Sequence, residues 1–369
     1  MAGQVAAAGS PVRVLVVDDS AFMRFTIAKH LGEVPSITIV GTARNGGEAL
    51  ELIPKLKPDV VTLDVEMPHM DGLTTLREIM SRHPLPVVML SSLTKEGAWE
   101  TVQALTLGAV DFVTKPDTKA NIAAVIDDVV AKVQQAAQAK VFAFRQMPPV
   151  SVRILPVPSY LVNEGSQPPH QQKTTRPLTS QVNVLVIGSS TGGPRALNIV
   201  VPDLSANIPA AVLIVQHMPV GFTRSLAERL DAISQLAVKE ATPGDKLEVR
   251  RALVAPGGFH MMVDDSNQIT LNQSPPVHGV RPSVDVTMIS AAQRYGVSVV
   301  GAILTGMGCD GTNAAKLVRN AGGWIIAEDK STLVVWGMPR SVFEAGAANE
   351  VVPLHEVASA VHKAISTHH

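Results

Sequence analysis

Gly188-Ser189-Ser190-Thr191-Gly192 has the form G-x-S-x-G and closes the apolar run Val182 to Ile187. Glycines flanking a serine let a strand break sharply into a helix and leave the central hydroxyl exposed. Ser190 is therefore the candidate nucleophile. Ser189 must point elsewhere, because adjacent side chains at such a turn cannot both face a substrate. A serine hydroxyl is inert near neutral pH without a base, and the base needs an orienting carboxylate. Two further apolar runs supply both. Ala211 to Val215 leads through Gln216 to His217, and Val299 to Leu304 leads through Thr305-Gly306-Met307-Gly308-Cys309 to Asp310. If these runs are parallel strands of one sheet, the residues after them share an edge, and Ser190, His217 and Asp310 form a triad for acyl transfer. The N–H groups of Thr191 and Met307, beside the serine and in the second Gly-rich turn, are the candidate oxyanion hole.

Other readings of the same residues stay open at this level. A phosphate-cradling loop is the main rival for the Gly188 turn, weakened by the missing lysine after the glycines. Asp310 could cap the helix that follows it. Cys309 reads as a small buried residue rather than a nucleophile, and His260 and His278 are given no catalytic role. The chain order Ser, His, Asp differs from the Ser, Asp, His order of α/β-hydrolases, which disfavours that fold.

A second constellation lies nearer the start. Asp18-Asp19 follows Val12 to Val17, Asp64 follows Val60 to Leu63, Ser91 follows Val87 to Leu90, and Lys115-Pro116 follows Phe112-Val113. Carboxylates gathered at one sheet edge repel unless a cation holds them, and hard Mg²⁺ suits a small carboxylate set. Asp64 would be the best-placed nucleophile toward a phosphoryl group, with Mg²⁺ and the Lys115 ammonium neutralising the transferred charge. Singly, each residue reads as a cap, a loop residue or a solvated side chain. Their joint placement at four strand ends argues otherwise.

Positioning both sets requires two doubly wound parallel-sheet α/β domains. The 369 residues exceed a usual domain of ~100–200. In the first half the strands named above, with Ile37 to Ala43, alternate with helical patterns at Ala21 to Leu31 and Gly47 to Ile53. Ile122, Val125, Ile126, Val129, Val130 and Val133 recur at helical spacing and close the unit. In the second half the near-continuous apolar runs, the last from Val297 to Leu304, suit strands buried on both faces, and Phe222 to Leu230 is helical. Between the halves, seven of the 26 prolines fall from Met147 to Pro177, a density that neither helix nor central strand tolerates. The expected layout is a domain over 11–133, a proline-rich linker over 134–180 and a second domain over 181–369.

Composition excludes several classes. Hydrophobic residues at 46% and charged ones at 17% can fill packed cores and rule out general disorder. A formal charge of −1 argues against a broadly basic nucleic-acid binder. The one cysteine excludes an intramolecular disulfide and a multi-cysteine zinc site, and points to a reducing compartment. Met1 to Ser10 has neither the cationic nor the apolar region of a signal peptide, and no apolar run approaches the ~20 residues of a membrane span. A soluble, cytoplasmic protein is expected.

Residues from about Val12 to Lys132 resemble the receiver domain of two-component response regulators. The resemblance is carried by Val-Val-Asp-Asp-Ser, Leu-Asp-Val-Glu-Met-Pro with Met-Asp-Gly after it, Ser91 and Lys115-Pro116. It implies a flavodoxin-like fold with Asp64 as phosphoacceptor. Asp19, Asp64 and the Glu66 carbonyl would hold Mg²⁺ beside Asp18, and Ser91 and Phe112 would be the switch pair that reads the phosphoryl group.

With the second half included, the chain resembles the chemotaxis protein-glutamate methylesterase (CheB) family over essentially its whole length. The motifs are Ile-Gly-Ser-Ser-Thr-Gly-Gly-Pro, Gln-His-Met-Pro with Gly221-Phe222-Thr223, Ala-Pro-Gly-Gly-Phe-His, Arg-Pro-Ser-Val-Asp and Leu-Thr-Gly-Met-Gly-Cys-Asp-Gly. Ser189 stands where alanine is usual, and Cys309 where asparagine is usual. The resemblance implies a Rossmann-like domain that hydrolyses glutamate γ-methyl esters on methyl-accepting chemotaxis receptors, releasing methanol, without a cofactor for that reaction. It also implies deamidation of receptor glutamines, a chemotaxis histidine kinase as phosphodonor, and adaptation in bacterial chemotaxis as the process served. The unphosphorylated receiver is expected to pack across the mouth around Ser190. Two other classes compete: a DNA-binding regulator, which needs a helix-turn-helix and basic face not found after Gln181, and a non-catalytic receptor-binding scaffold. Neither nucleic acid nor membrane insertion is expected.

Overall fold

The computed structural model describes residues 10–115, 122–141, 176–177 and 183–367. Most of the expected linker, and Pro116, lie outside them. The chain divides into two compact units, Met1–Gln167 and Pro168–His369.

In the first unit, strands β1 (Val12–Val17), β2 (Ile37–Ala43), β3 (Val60–Asp64), β4 (Val87–Ser91) and β5 (Asp111–Thr114) alternate with helices α1 (Ala21–Gly32), α2 (Gly46–Leu56), α3 (Gly72–Arg82), α4 (Lys95–Leu107) and α5 (Ile122–Ala136). The strands form one parallel sheet in the order β2-β1-β3-β4-β5, the flavodoxin-like winding. Every residue of β3 and β4 is buried, because helices cover both faces and the strands need no polar side. Short polar residues start the helices: the side chains of Ser20, Asn45, Asp71 and Thr94 accept from the N–H groups of Met23, Glu48, Thr74 and Gly97. α3 begins hard against the end of β3. A Cβ at Gly72 would sit 2.2 Å from the Asp64 carbonyl oxygen, so only glycine lets the chain close there.

The second unit opens with the two-residue strand β6 (Arg176–Pro177), then β7 (Asn183–Ser189), β8 (Ala210–Gln216), β9 (Ala237–Glu240), β10 (Glu248–Val249) and β11 (Arg251–Val254). It continues with β12 (His260–Val263), β13 (Ile269–Asn272), β14 (Val299–Ile303), β15 (Trp324–Glu328) and β16 (Glu350–Val352). Seven of these form one parallel sheet, ordered β16-β15-β14-β7-β8-β11-β9. β12 and β13 make a separate antiparallel pair, and β6 pairs antiparallel with β10. All residues of β7, β8 and β14 are buried, as their unbroken apolar runs anticipate. The run from Val297 is shorter in the structure, since Gly296–Ser298 forms a 3₁₀ turn and leaves Val297 exposed.

From β7 the chain winds one way to β8 and later returns to β14 on the other side of β7. That reversal opens a crevice at the carboxyl ends of β7 and β14, where open parallel sheets bind ligands. Both units are doubly wound parallel α/β folds. Among the described residues no helix is long and apolar enough to cross a membrane.

Candidate active site and acidic pocket

Ser190 is the first residue beyond β7, in the crevice position. Its N–H donates to the Thr305 carbonyl beyond β14 at 3.0 Å, and its carbonyl accepts from Gly193 N at 2.7 Å and Gln216 Nε2 at 3.0 Å. The turn is therefore tied to both neighbouring strands. Ser189 is buried, and its hydroxyl donates to Gln216 Oε1 at 2.7 Å, so the two serines face opposite ways as expected. Gly306 lies directly against Ser190: a Cβ there would meet Ser190 Cβ at 2.8 Å and Met338 Sδ at 2.6 Å. The next residue, Met307, is exposed, and its N–H donates no hydrogen bond among the described residues.

His217 follows β8, and Asp310 sits in the loop after β14. The imidazole Nε2 lies 2.8 Å from Asp310 Oδ2, with both side chains largely buried. Among the described residues Ser190 Oγ has no hydrogen bond to the imidazole, whose Nδ1 is the nitrogen left for it. Asp310 is held by more than its histidine. Its Oδ1 accepts from Ser283 Oγ at 2.8 Å and from the N–H groups of Asp285 and Gly311, each at 3.0 Å, while Oδ2 also accepts Val284 N–H at 2.6 Å. Burial by itself raises this carboxyl. The His217 hydrogen bond and charge, with the Asp285 and Val284 N–H groups, outweigh it and hold the group below its ordinary 3.8. The helix Thr312–Asn320 is capped by Gly311 with no side-chain bond. Asp310 instead closes the N-terminus of the helix Val284–Tyr295, where an anion is favoured.

Cys309 is exposed, contrary to the expectation of a buried residue. The loop turns at Gly308 (φ 81°) and Gly311 (φ 86°), and between those turns Asp310 goes inward while the thiol stays outside.

Sequence reading also missed Glu328, the last residue of β15. A carboxylate at the end of the run Trp324-Ile-Ile-Ala was the available signal, of the same kind that marked Asp64. Fully buried, its Oε2 accepts Thr305 N–H at 2.8 Å and its Oε1 accepts the Thr332 hydroxyl at 3.1 Å. Thr305 in turn supplies the carbonyl under Ser190, and its hydroxyl donates to the Thr191 carbonyl at 3.1 Å. The carboxylate thus braces the turn through one intervening residue. Burial pushes Glu328 from 4.5 up to about 7, against its hydrogen bonds from Thr305 and Thr332 and the charge of Arg195. Burial likewise lowers the Arg195 guanidinium, against the charge of Glu328. A carboxyl raised on folding binds more protons in the native than in the unfolded state between 4.5 and about 7. Stability must fall as pH rises through that window. Glu328→Gln is expected to flatten the decline; thermal melts of both proteins across these pH values check it, and parallel declines would count against it.

In the first unit, Asp18, Asp19 and Asp64 bring carboxylate oxygens within 4.8 Å of one another. Lys115 Nζ lies 2.6 Å from Asp64 Oδ2 and 3.3 Å from Asp18 Oδ2. Burial pushes Asp64 up to about 6, with the ammonium opposing and the Asp18 charge adding to the rise. Burial works against the Lys115 charge too, but Asp64 and Asp18 outweigh it and raise the lysine. Glu66 N–H donates to Asp64 Oδ1 at 3.2 Å, and Glu66 Oε1 accepts Ser92 Oγ at 2.6 Å. The buried Ser91 hydroxyl bonds to the carbonyls of Ser92 and Gly97, each at 3.1 Å, and to Thr101 Oγ1 at 2.6 Å, all at α4 and the turn before it. No hydrogen bond joins it to Asp64 among the described residues. Phe112 is buried on β5 with the Lys132 ammonium 5.0 Å from its ring centre. The all-oxygen donor set at the β1 and β3 ends, whose buried Asp18 and Asp64 carboxyls are both raised chiefly by burial, fits a hard divalent cation.

Residues 185–361 match the family model described as CheB methylesterase, and residues 14–127 match the response regulator receiver domain. A Symbiobacterium thermophilum protein named protein-glutamate methylesterase/protein-glutamine glutaminase is 51% identical over 365 residues, spanning 96% of this chain and 97% of that protein. An Archaeoglobus fulgidus protein of the same name is 48% identical over 354 residues, spanning 95% and 97% respectively. Among solved structures, the crystal structure of the Thermotoga maritima CheB methylesterase catalytic domain is similar at 45% identity, covering 50% of this chain and 98% of that one with a TM-score of 0.48. Identity at this level, sustained along nearly the full length of both partners, makes the chain a member of the CheB methylesterase family, in the form that carries a response regulator receiver domain ahead of the methylesterase domain.

Proposed function

We propose that the protein is a phosphorylation-regulated serine esterase that hydrolyses glutamate γ-methyl esters on methyl-accepting chemotaxis receptors and deamidates receptor glutamines. The observation that carries the reading is the His217–Asp310 pair at 2.8 Å beside the turn that presents Ser190. Nε2 of His217 donates to Asp310, which leaves Nδ1 as the acceptor. That nitrogen takes the Ser190 proton as Oγ attacks the ester carbonyl, a contact that closes when substrate is bound. The N–H groups of Thr191 and Met307 receive the oxyanion, and the Met307 group donates to no acceptor among the described residues. Methanol leaves with the proton carried by the imidazolium. Water, deprotonated by the same nitrogen, then releases the glutamate and restores Ser190. For a glutamine the sequence is identical with ammonia leaving. Asp310 stabilises the imidazolium formed in each half.

Asp64 is the phosphoacceptor in this reading, with a chemotaxis histidine kinase as donor and the cytoplasm as the compartment. Asp18, Asp19, Asp64 and the Glu66 carbonyl would hold Mg²⁺, which when bound supplies charge neutralisation at the phosphoryl oxygens. Lys115 places its ammonium on the same oxygens, and Ser91 and Phe112 pass the change to the surface as the switch pair.

Methanol release from methylated receptors, with and without a small acyl-phosphate donor, tests both parts. Release should rise with the donor in the wild type, while Asp64→Asn should not respond. A wild type that releases no methanol in either condition defeats the esterase reading. Release that ignores the donor defeats only the regulation.

A further inference from the structure

The exposed thiol of Cys309 does not stand alone. Its Sγ lies 3.7 Å from His278 Nδ1, and His278 Nε2 lies 3.0 Å from Asp285 Oδ2. Asp285 is buried, with its other oxygen accepting Ala314 N–H at 2.8 Å. A thiol, an imidazole and a carboxylate therefore stand in hydrogen-bonding succession at the surface. This array adjoins the first one, because Asp285 N–H donates to Asp310 Oδ1 at 3.0 Å. None of its three side chains has a part in the ester chemistry above.

Such an array has a specific chemical consequence. The carboxylate fixes the ring so that Nδ1 faces the sulfur, and the imidazole can then accept the thiol proton. Thiolate is the nucleophilic form of cysteine, and exposure admits a reagent. A cation is the poorer occupant. Both Asp310 oxygens are already filled, by Ser283 Oγ and the N–H groups of Asp285, Gly311 and Val284, with His217 as well.

We propose that Cys309 is a site of covalent modification by hydroperoxides, with His278 as its base and Asp285 as the positioning residue, and that the modified thiol shuts the esterase. His278 Nδ1 takes the thiol proton, and the sulfur attacks the nearer peroxide oxygen. The S–O bond forms as the O–O bond breaks, and the departing hydroxide, or alkoxide from an organic hydroperoxide, recovers the proton from His278 and leaves as water or the alcohol. Sulfur loses two electrons and the peroxide gains them. The chain has no second cysteine, so the sulfenic acid finds its partner in a low-molecular-weight thiol, forming a mixed disulfide and water. Cys309 stands in the chain between Gly308 and Asp310, two residues after Met307, so a tripeptide-sized adduct there obstructs the oxyanion position. That last consequence rests on the proposed esterase reading; the modification does not.

The test uses the full chain and intact-mass measurement. At pH 7, alkylation of Cys309 by iodoacetamide should run about tenfold faster than alkylation of free glutathione. His278→Asn, which keeps a residue tolerant of the 53° φ at that position, should fall to the glutathione rate. A His278→Asn protein that reacts as fast as the wild type overturns the relay. Hydrogen peroxide followed by glutathione should add one glutathione mass and lower methanol release at least tenfold, and dithiothreitol should restore both. Cys309→Ser should gain no glutathione mass and keep its activity through the same treatment. Complete adduct formation with undiminished methanol release overturns the control of the esterase. Adduct chemistry is measured without any receptor, so its failure is distinguishable from failure of the esterase assignment.

Discussion

Ser190→Ala is expected to lower methanol release by at least ~10⁴-fold, with fold, melting temperature and Asp64 phosphorylation unchanged. The catalytic loss follows from the role of the hydroxyl: no water oriented in its place can form the acyl intermediate that splits the reaction into two easier steps. The silence in stability follows from the hydrogen bonds. The turn is held through the Ser190 backbone, by Thr305, Gly193 and Gln216, and all of these survive truncation at Cβ. The hydroxyl itself has no hydrogen-bond partner among the described residues, so its removal strands no buried group. Rates are read from methanol release on methylated receptors, and stability from a thermal melt. Turnover within tenfold of the wild type would mean that another nucleophile does the work, and Cys309→Ser in the same background would then show whether the thiol supplies it.

Much of this arrangement was legible in the chain. β1, β3, β4, β7 and β8 begin and end within a residue or two of their apolar runs, because strands covered on both faces carry no alternation to blur them. Candidate functional residues directly after such runs inherit that clarity: Asp18, Asp64, Ser190 and His217 each stand at or just beyond a strand's end. The outer strands were not named. β9 and β16 are short and only partly buried, and an edge strand of three or four residues leaves too little pattern to separate from a loop. β15 is buried from Ile325 to Glu328, and its run could have been read by the rule that found the others.

What surrounds Asp310 was beyond sequence reasoning for a different reason. The aspartate could be placed near His217 from strand order, but its main support is the start of a helix about 26 residues earlier in the chain. No spacing rule relates a loop carboxylate to the N-terminus of a distant helix; that meeting exists only once the sheet and its covering helices are packed. Cys309 shows the same limit on a smaller scale. The apolar character of a thiol suggested burial, while the two left-handed glycines around it decide which side chain of the loop faces in.

The second large effect separates the two jobs of Asp310. Asp310→Asn is expected to lower turnover by ~10⁴-fold and also, unlike Ser190→Ala, to cost a few kcal/mol of stability. Every partner of this carboxylate is a donor: Ser283 Oγ and the Asp285 and Gly311 N–H groups on Oδ1, Val284 N–H and His217 Nε2 on Oδ2. An asparagine must turn its NH₂ toward one set or the other. Turned toward Oδ1, it confronts two backbone N–H groups. Turned toward Oδ2, it confronts the Val284 N–H and forces His217 to accept at Nε2, which places the proton on Nδ1 and removes the base that Ser190 needs. Each buried donor left unpaired costs about 1–3 kcal/mol, so the denaturation midpoint should drop in either orientation. The wild type should also lose an acid-side contribution that the variant lacks. Because the Asp310 carboxyl is held below 3.8 in the folded chain, its stabilisation is complete above that value and disappears as pH falls through the lower folded value. Urea titrations near neutral pH and in acid below 3.8, beside the methanol assay, read all three effects. Full activity in Asp310→Asn would show that the imidazole is oriented from elsewhere and dissolve the triad. Lost activity with an unmoved midpoint would leave the triad standing and refute the claim that this carboxylate holds the Val284 helix in place.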